Sequence, residues 1–351
     1  MENRFQRILV RATNWVGDAV MSVPALQALR EHNPQARISI LARPWVAGLY
    51  GREAFCDEVI PYEAPRGWRG LGEKRRVAEE LRARKFDCAL LLQNAFEAAA
   101  MARWAGIPIR MGYDRDARGW LLTHPIPLPT AGEIPKHQRF YYLELLKRAR
   151  LIPDYARDGV IRLGGASSAA ERGRARLREA GIAGAVVGVS PGAAYGGAKR
   201  WLPERFAEAA VAVARERGAQ VAVFGSTEEA GVCETVCQQI ERAGVLCRNF
   251  GGVTPLEQFI EMAAACELFL TNDSGAMHVA SALGVATVVV FGATDDEATG
   301  PTGDWSRVVR HAVECSPCLL PECPIDHRCM TRVAAGEVVE AAHGLVGIKR
   351  K

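Results

Sequence analysis

The sequence predicts an α/β fold made of two doubly wound, Rossmann-like domains, each around a parallel sheet. Three observations carry this expectation. Short apolar runs alternate with stretches of helical period through the first half and again through the second, and such alternation implies parallel pairing. A segment rich in turn formers and charge, PDYARDGVIRLGG at Pro153–Gly165, separates the halves. The length agrees, since 351 residues exceed one ordinary core and suit two.

In the first half RILVRA (Arg7–Ala12) reads as a strand, and VMSVPALQALREHN (Val20–Asn33) as a helix that stops before Pro34. ARISILAR alternates with period two and reads as a second strand, followed by a short helix in WVAGLYGREAF. EVIPY, FDCALLLQ and RMGY supply further strands, and GEKRRVAEELRARK, EAAAMARWAG and KHQRFYYLELLKRARL supply helices. The second half repeats the scheme. AVVGVSPG, QVAVFGS, VLCRNFGG, LFLTNDSG and VATVVVFGAT read as strands running into turns. The stretches SSAAERGRARLREAGI, LPERFAEAAVAVARERG, EEAGVCETVCQQIERAG, PLEQFIEMAAAC and AMHVASALG read as helices. The expected organisation is a first domain over 1–160, a second over 161–335, and a C-terminal helix over 336–351.

Composition narrows the function. With 49% hydrophobic and 24% charged residues the chain is ordinarily globular. No apolar run approaches the roughly 18–20 residues of a membrane span, and MENRFQRILVRATNW lacks the pattern of a signal peptide. A cytoplasmic protein is expected. The basic stretch Gly72–Lys85 reads first as a solvated helix face laced with Glu–Arg pairs, and second as a face for anionic lipid. No aromatic-basic repeat points to nucleic acid. The first strand runs into TNWVGDAV rather than G-x-G-x-x-G, and neither a P-loop nor a G-x-S-x-G elbow occurs.

Four turns directly after strands carry the chemistry, because open α/β sheets bind ligands at their carboxyl edges. Gly17-Asp18 offers a carboxylate that is either a helix cap or a base. In NDSGAMH, Asp273, Ser274 and Gly275 stand where a strand gives way to a helix, an arrangement that favours phosphate, with His278 one turn on. The alternative there is an N-cap and a core histidine. SPGAAYGGAKRW reads as a mobile turn from Ser190 through Gly192 to the cation Lys199, which suits a diphosphate. Glu228 after QVAVFGS suits ribose hydroxyls, with Glu229 as its rival and a first-turn helix role as the alternative.

Ten cysteines fall into two groups. Six are scattered in apolar contexts. Cys315, Cys318, Cys323 and Cys329 form C-x2-C-x4-C-x5-C with His327 inside it, which could hold a structural zinc or iron. The alternative is a proline-stiffened loop with buried thiols.

Taken together, NWVGDAVMSVPAL, SPGAAYGGAKRWLPERF, LTNDSGAMHVASALGVATVVVFGAT and CSPCLLPECPIDHRCM resemble the ADP-heptose:lipopolysaccharide heptosyltransferases, glycosyltransferase family 9. The resemblance runs along nearly the whole chain. It implies a GT-B architecture with two Rossmann-like domains facing across a cleft, the acceptor on the first and ADP-L-glycero-β-D-manno-heptose on the second, and a C-terminal helix in GEVVEAAHGLVG that returns to the first domain. It implies an inverting transfer with Asp18 as general base and Lys199 acting on the leaving diphosphate. Ser190, Gly192, Glu228, Asp273, Ser274, Gly275, Met277 and His278 would hold the donor, Met277 having a core role as its alternative. Asn14, Arg110, Arg115, Arg118, Lys136, His137 and Arg139 would serve the acceptor, each of the cations having a solvated surface charge as its alternative. The resemblance is strongest to the branch adding the second inner-core heptose, so the acceptor would be heptosyl-Kdo2-lipid A, met through transient contact with the inner leaflet. Enzymes that add the first or a later core heptose are the alternative, and a sugar-nucleotide epimerase is a more distant one. No cofactor is expected for catalysis.

Overall fold

RILVR forms β1 (Arg7–Arg11), every residue of which is buried except the first. Burial on both faces is what a parallel sheet covered by helices demands, and it explains the unbroken apolar runs. The structure, a computed structural model, describes residues 5–65 and 67–345, with the backbone alone for Trp68. The chain divides at Gly159/Val160 into two compact units.

In the first unit β1 leads to α1 (Val16–His32), β2 (Arg37–Ala42), α2 (Pro44–Tyr50), β3 (Glu58–Pro61), α3 (Leu71–Ala83), β4 (Cys88–Leu91) and α4 (Phe96–Trp104). There follow β5 (Ile109–Tyr113), β6 (His124–Ile126) and α5 (Arg139–Arg148). The strands run parallel in the order β3-β2-β1-β4-β5-β6. Val10 stands between Ile40 and Leu90 in that register.

The second unit begins with α6 (Ala166–Glu179) and continues through β7 (Val186–Ser190), α7 (Pro203–Arg217), β8 (Gln220–Val223), α8 (Ala230–Arg242) and β9 (Cys247–Asn249). Next come α9 (Leu256–Ala265), β10 (Leu268–Asn272), α10 (Gly275–Ala282), β11 (Ala286–Val290), the short α11 (Asp296–Thr299) and β12 (Ser306–Val309). The short α12 (Arg328–Thr331) and α13 (Ala335–His343) complete it. Its order, β12-β11-β10-β7-β8-β9, has the same parallel, doubly wound form.

The sixth strand of each sheet escaped the sequence reading. Both lie at a sheet edge; β6 is three residues long with a proline at its centre, and β12 reads SRVV. Neither has the apolar run of a strand buried on two faces. Two helices also begin elsewhere. α1 starts at Val16 rather than Val20, which takes Gly17 and Asp18 into its first turn and keeps Pro24 inside it. The described part of the expected C-terminal helix, α13, packs on α7, β11 and β12 in the second unit, while residues 346–351 lie outside the described residues.

Candidate active site

In both sheets the order reverses between two neighbours, β1 and β4 in the first unit and β7 and β10 in the second. Ligands of open α/β sheets bind beyond the carboxyl ends at such points. Asp18 follows β1 in the first unit, and Ser190, Asp273 and Ser274 end or follow β7 and β10 in the second.

Beyond β1, Trp15 is the N-cap of α1 and Asp18 is the third residue inside the helix. No side chain caps this helix. The Asp18 carboxylate is instead met by Tyr142 of α5, whose hydroxyl donates to Oδ1 at 3.2 Å. Tyr142 is deeply buried, and burial followed by the Asp18 charge pushes its pKa far up, so it remains a donor. Tyr50 is fully buried, its phenol pushed up to about 12 by burial and lying within the field of Asp18. Asn14 accepts from Arg11 Nη2 at 3.1 Å through its side chain and from Trp45 Nε1 at 2.8 Å through its carbonyl. Tyr142 was missed because it is 124 residues from Asp18 and sits in a helix whose apolar pattern explains it without function.

The expected acceptor cations have mixed fates. Arg118 is wholly buried, donating to the Tyr113 carbonyl at 3.0 Å and to Asn94 Oδ1 at 2.9 Å; burial lowers its pKa to about 10. Arg110 braces the carbonyls of Leu121 and Ile107, and Arg139 those of Gly159 and Arg157. All three guanidiniums donate to carbonyls of the fold, while Arg139 Nε is buried with no hydrogen-bond partner. Arg115 is exposed beside Asp116, and His137 Nδ1 accepts from the Arg139 amide. Lys136 is engaged within the protein too.

In the second unit Lys199 Nζ lies 2.6 Å from Asp273 Oδ2, whose side chain is nearly buried and also accepts from Thr294 Oγ1 at 2.5 Å. Asn272, fully buried at the end of β10, ties the two turns together. Its Nδ2 donates to the Pro191 carbonyl at 2.8 Å and its Oδ1 accepts from the Trp201 amide at 2.9 Å. Ser190 is buried at the end of β7. Ser274 is the N-cap of α10 in extended conformation, with Oγ 3.3 Å from Thr271 Oγ1 and no side chain capping the helix. Gly275 opens the helix, and His278 is buried in its second turn.

Sequence expected a mobile loop before Lys199; the structure pins it. Tyr195 donates to the Leu319 carbonyl at 2.7 Å, the Gly197 amide to Glu322 at 2.9 Å and the Ala198 amide to the Pro321 carbonyl at 2.9 Å. Gly196 has φ +153, and a Cβ there would stand 2.1 Å from the Pro321 oxygen. The bracing residues Leu319, Pro321 and Glu322 belong to the cysteine segment itself. Cys315 is exposed, Cys318 and Cys323 half-buried and Cys329 buried. Burial and then the neighbouring thiols raise the Cys329 pKa. Among the described residues no group of three or more His, Cys, Asp or Glu side chains is arranged to hold a metal ion.

Of the rival glutamates, Glu228 is fully exposed, its pKa lowered by its own amide and the Ser226 hydroxyl. Glu229 is buried, accepting from the Ser226 amide at 2.8 Å, and a Cβ on Gly192 would stand 2.2 Å from its carboxyl carbon. Glycine at 192 is thus what admits the carboxylate beneath the turn. Met277 is fully buried with Val289 and Phe291, in the core rather than at a pocket surface.

The model of glycosyltransferase family 9 (heptosyltransferase) matches residues 74–328. The chain belongs to this family. Lipopolysaccharide heptosyltransferase 2 of Escherichia coli K12 is 32% identical over 310 residues, 87% of this chain and 88% of that one. Lipooligosaccharide heptosyltransferase 2 of Haemophilus influenzae is 28% identical over 86% of this chain and 88% of its own. The solved structure of E. coli ADP-heptose LPS heptosyltransferase II superposes with a TM-score of 0.80 at 27% identity, covering 97% and 98% of the two chains. This family 9 glycosyltransferase therefore has the two-Rossmann, GT-B class of fold that its motifs implied.

Proposed function

We propose that the chain is an inverting heptosyltransferase that moves L-glycero-D-manno-heptose from ADP-heptose to the first heptose of the lipopolysaccharide inner core. The observation that carries this reading is the near full-length likeness to relatives named heptosyltransferase 2. Asp18 takes the proton of the acceptor hydroxyl as it attacks the anomeric carbon, a role that needs hydrogen-bond reach in the productive pose. Tyr142 orients that carboxylate. As the bond to ADP breaks, negative charge grows on the diphosphate. Lys199 and the amides at Ser274 and Gly275 take up that charge; a cation and a helix N-terminus are what such a role needs. Ser190, Gly192 and Asn272 shape the turn, His278 lies in the same helix, and Glu229 joins Glu228 as a candidate for the ribose. Because cations and helix-end amides supply the neutralisation, the rate should be unchanged by a chelator.

Under the same reading the acceptor is a lipid, and the enzyme meets it at the inner leaflet. Trp15, Trp45, Phe96, Trp104 and Trp120 of the first unit are exposed, as aromatic residues at a membrane interface are. No helix among the described residues is long and apolar enough to cross a membrane. A structural zinc or iron held by Cys315, Cys318, Cys323 and Cys329 remains a proposal that metal analysis of the purified protein tests. The geometry favours the other role, a loop that braces Gly196–Lys199.

The test is ADP release from ADP-heptose with each of two acceptors and with no lipid. Turnover with heptosyl-Kdo2-lipid A alone supports the reading. Preference for Kdo2-lipid A without heptose would assign the first-heptose enzyme instead, and donor consumption with no lipid present would indicate an epimerase.

A further inference from the structure

The first unit holds a second cluster of charge that the donor and base assignments leave unused. Arg11 at the end of β1, Arg43 just beyond β2 and Lys74 of α3 are each at least nine-tenths buried. Arg11 and Arg43 bring their guanidinium carbons to 5.3 and 4.4 Å from the ring centre of Tyr62, which is itself buried beyond β3. One carboxylate answers them among the described residues. Glu97, in the first turn of α4, lies 2.8 Å from Lys74 Nζ and 3.7 Å from Arg43, and accepts from the Tyr62 hydroxyl. Three buried cations thus face one half-buried anion.

Buried charge is retained at a cost unless it is paired, so the surplus asks for a partner. Part of it is met by carbonyls. Arg11 donates to the Ala12 oxygen at 2.7 Å and Lys74 to the Gly67 oxygen at 3.2 Å. Arg43 is less well served: its Nε is buried with no hydrogen-bond partner. Three strand ends, β1, β2 and β3, converge here, and the cluster is continuous with the Asp18 turn. Arg11 bonds Asn14, Asn14 bonds Trp45, and the exposed Trp45 ring lies 5.8 Å from the Arg43 guanidinium.

We propose that Arg43, with Arg11 and Lys74, forms an anion-binding subsite for a carboxylate or phosphate group of the acceptor, Glu97 setting its strength by neutralising one of the three charges. The inference rests on the acceptor reading above. It moves the cationic contacts from Arg110 and Arg118, which donate to backbone carbonyls and Asn94, to a cluster whose charge is less fully answered.

Intrinsic fluorescence tests it without any turnover. Inorganic phosphate and, separately, acetate are titrated into the protein with ADP at saturation to occupy the second unit. The Trp45 signal is taken as the difference between wild type and Trp45→Phe. A saturable response to either anion is expected, and its identity distinguishes a phosphate from a carboxylate subsite. Arg43→Met should weaken binding by roughly tenfold, the scale of one charge-assisted hydrogen bond. Glu97→Gln should tighten it, because the opposing charge is gone. Opposite signs cannot come from general damage to the fold. If Arg43→Met does not fold, Arg43→Lys keeps a charge but loses Nε and should weaken binding in the same direction. No Trp45-dependent response to either anion, or weakening by both Arg43→Met and Glu97→Gln, overturns the proposal. Heptosyl transfer can fail while this binding stands, so the two readings are judged separately.

Discussion

The carboxyl edges of the two sheets solve different problems. In the second unit the functional groups sit on turns that directly follow strands, and their charges are matched: Lys199 is paired with Asp273, and Asp273 is shared with Thr294. Under the proposed function the backbone amides at Ser274 and Gly275, at the start of α10, supply the rest. In the first unit the groups come from five elements and the charges are unmatched. Asp18 is held by a distant tyrosine, and three buried cations share one glutamate. A diphosphate is a fixed chemical group that a turn can cradle. An acceptor sugar has to be read by side chains from several strand ends.

The sharpest way to break this comparison is at the base. Asp18→Asn should cut kcat by roughly 10²- to 10⁴-fold while ADP binding is unchanged, since the donor groups belong to the other unit. Single-turnover rates and ADP titration together measure it. A fully active variant would return Asp18 to a helix-end role. Next in size is Lys199→Met, expected to lower kcat by about 10²-fold, as loss of one donor to a developing oxyanion does. Here ADP affinity should fall too. If affinity falls and kcat does not, Lys199 binds the ground state alone.

The same contrast explains what was legible in the sequence. Ten of the twelve strands follow from apolar runs, and both exceptions are short edge strands. Asp273, Ser274 and Lys199 announce themselves because strand-turn-helix chemistry is local. Glu229 was visible only as the rival of Glu228, because burial and not spacing separates the two. Arg118 looked like a surface cation and is wholly buried. Tyr142, Arg43 and Glu97 gave no signal, since their meaning arises when the topology brings remote strand ends together. Nor did the cysteine spacing disclose that its backbone supports the Lys199 loop.

A smaller effect sharpens the first unit's site. Tyr142→Phe removes the hydroxyl from Asp18 without changing bulk. A donated hydrogen bond favours the ionised carboxylate. Its loss should move the acid limb of the kcat profile to higher pH, with a rate loss of severalfold near neutrality. Tyr142 itself stays protonated across that range, so it adds no titration of its own. A uniform loss at every pH would mean that the tyrosine only packs.

The smallest effect belongs to stability and separates folding charge from functional charge. Glu261 of α9 is buried, with Arg172 Nε at 2.5 Å and Arg176 Nε at 2.6 Å reaching from α6. Burial alone would raise its pKa, but the hydrogen bonds from the two arginines override that and hold it below the ordinary carboxylate range. The sign follows from linkage. Stability from this group is fully present above the unfolded-state pKa of about 4.3 and is lost as pH falls through the lower folded value. Glu261→Gln should therefore cost roughly 1–2 kcal/mol at neutral pH, and the gap to wild type should close in acid. Thermal unfolding from pH 7 down to 3 reads it. Unlike the surplus at Arg43, this charge is balanced within the fold, so its removal should alter unfolding and leave anion binding in the first unit untouched.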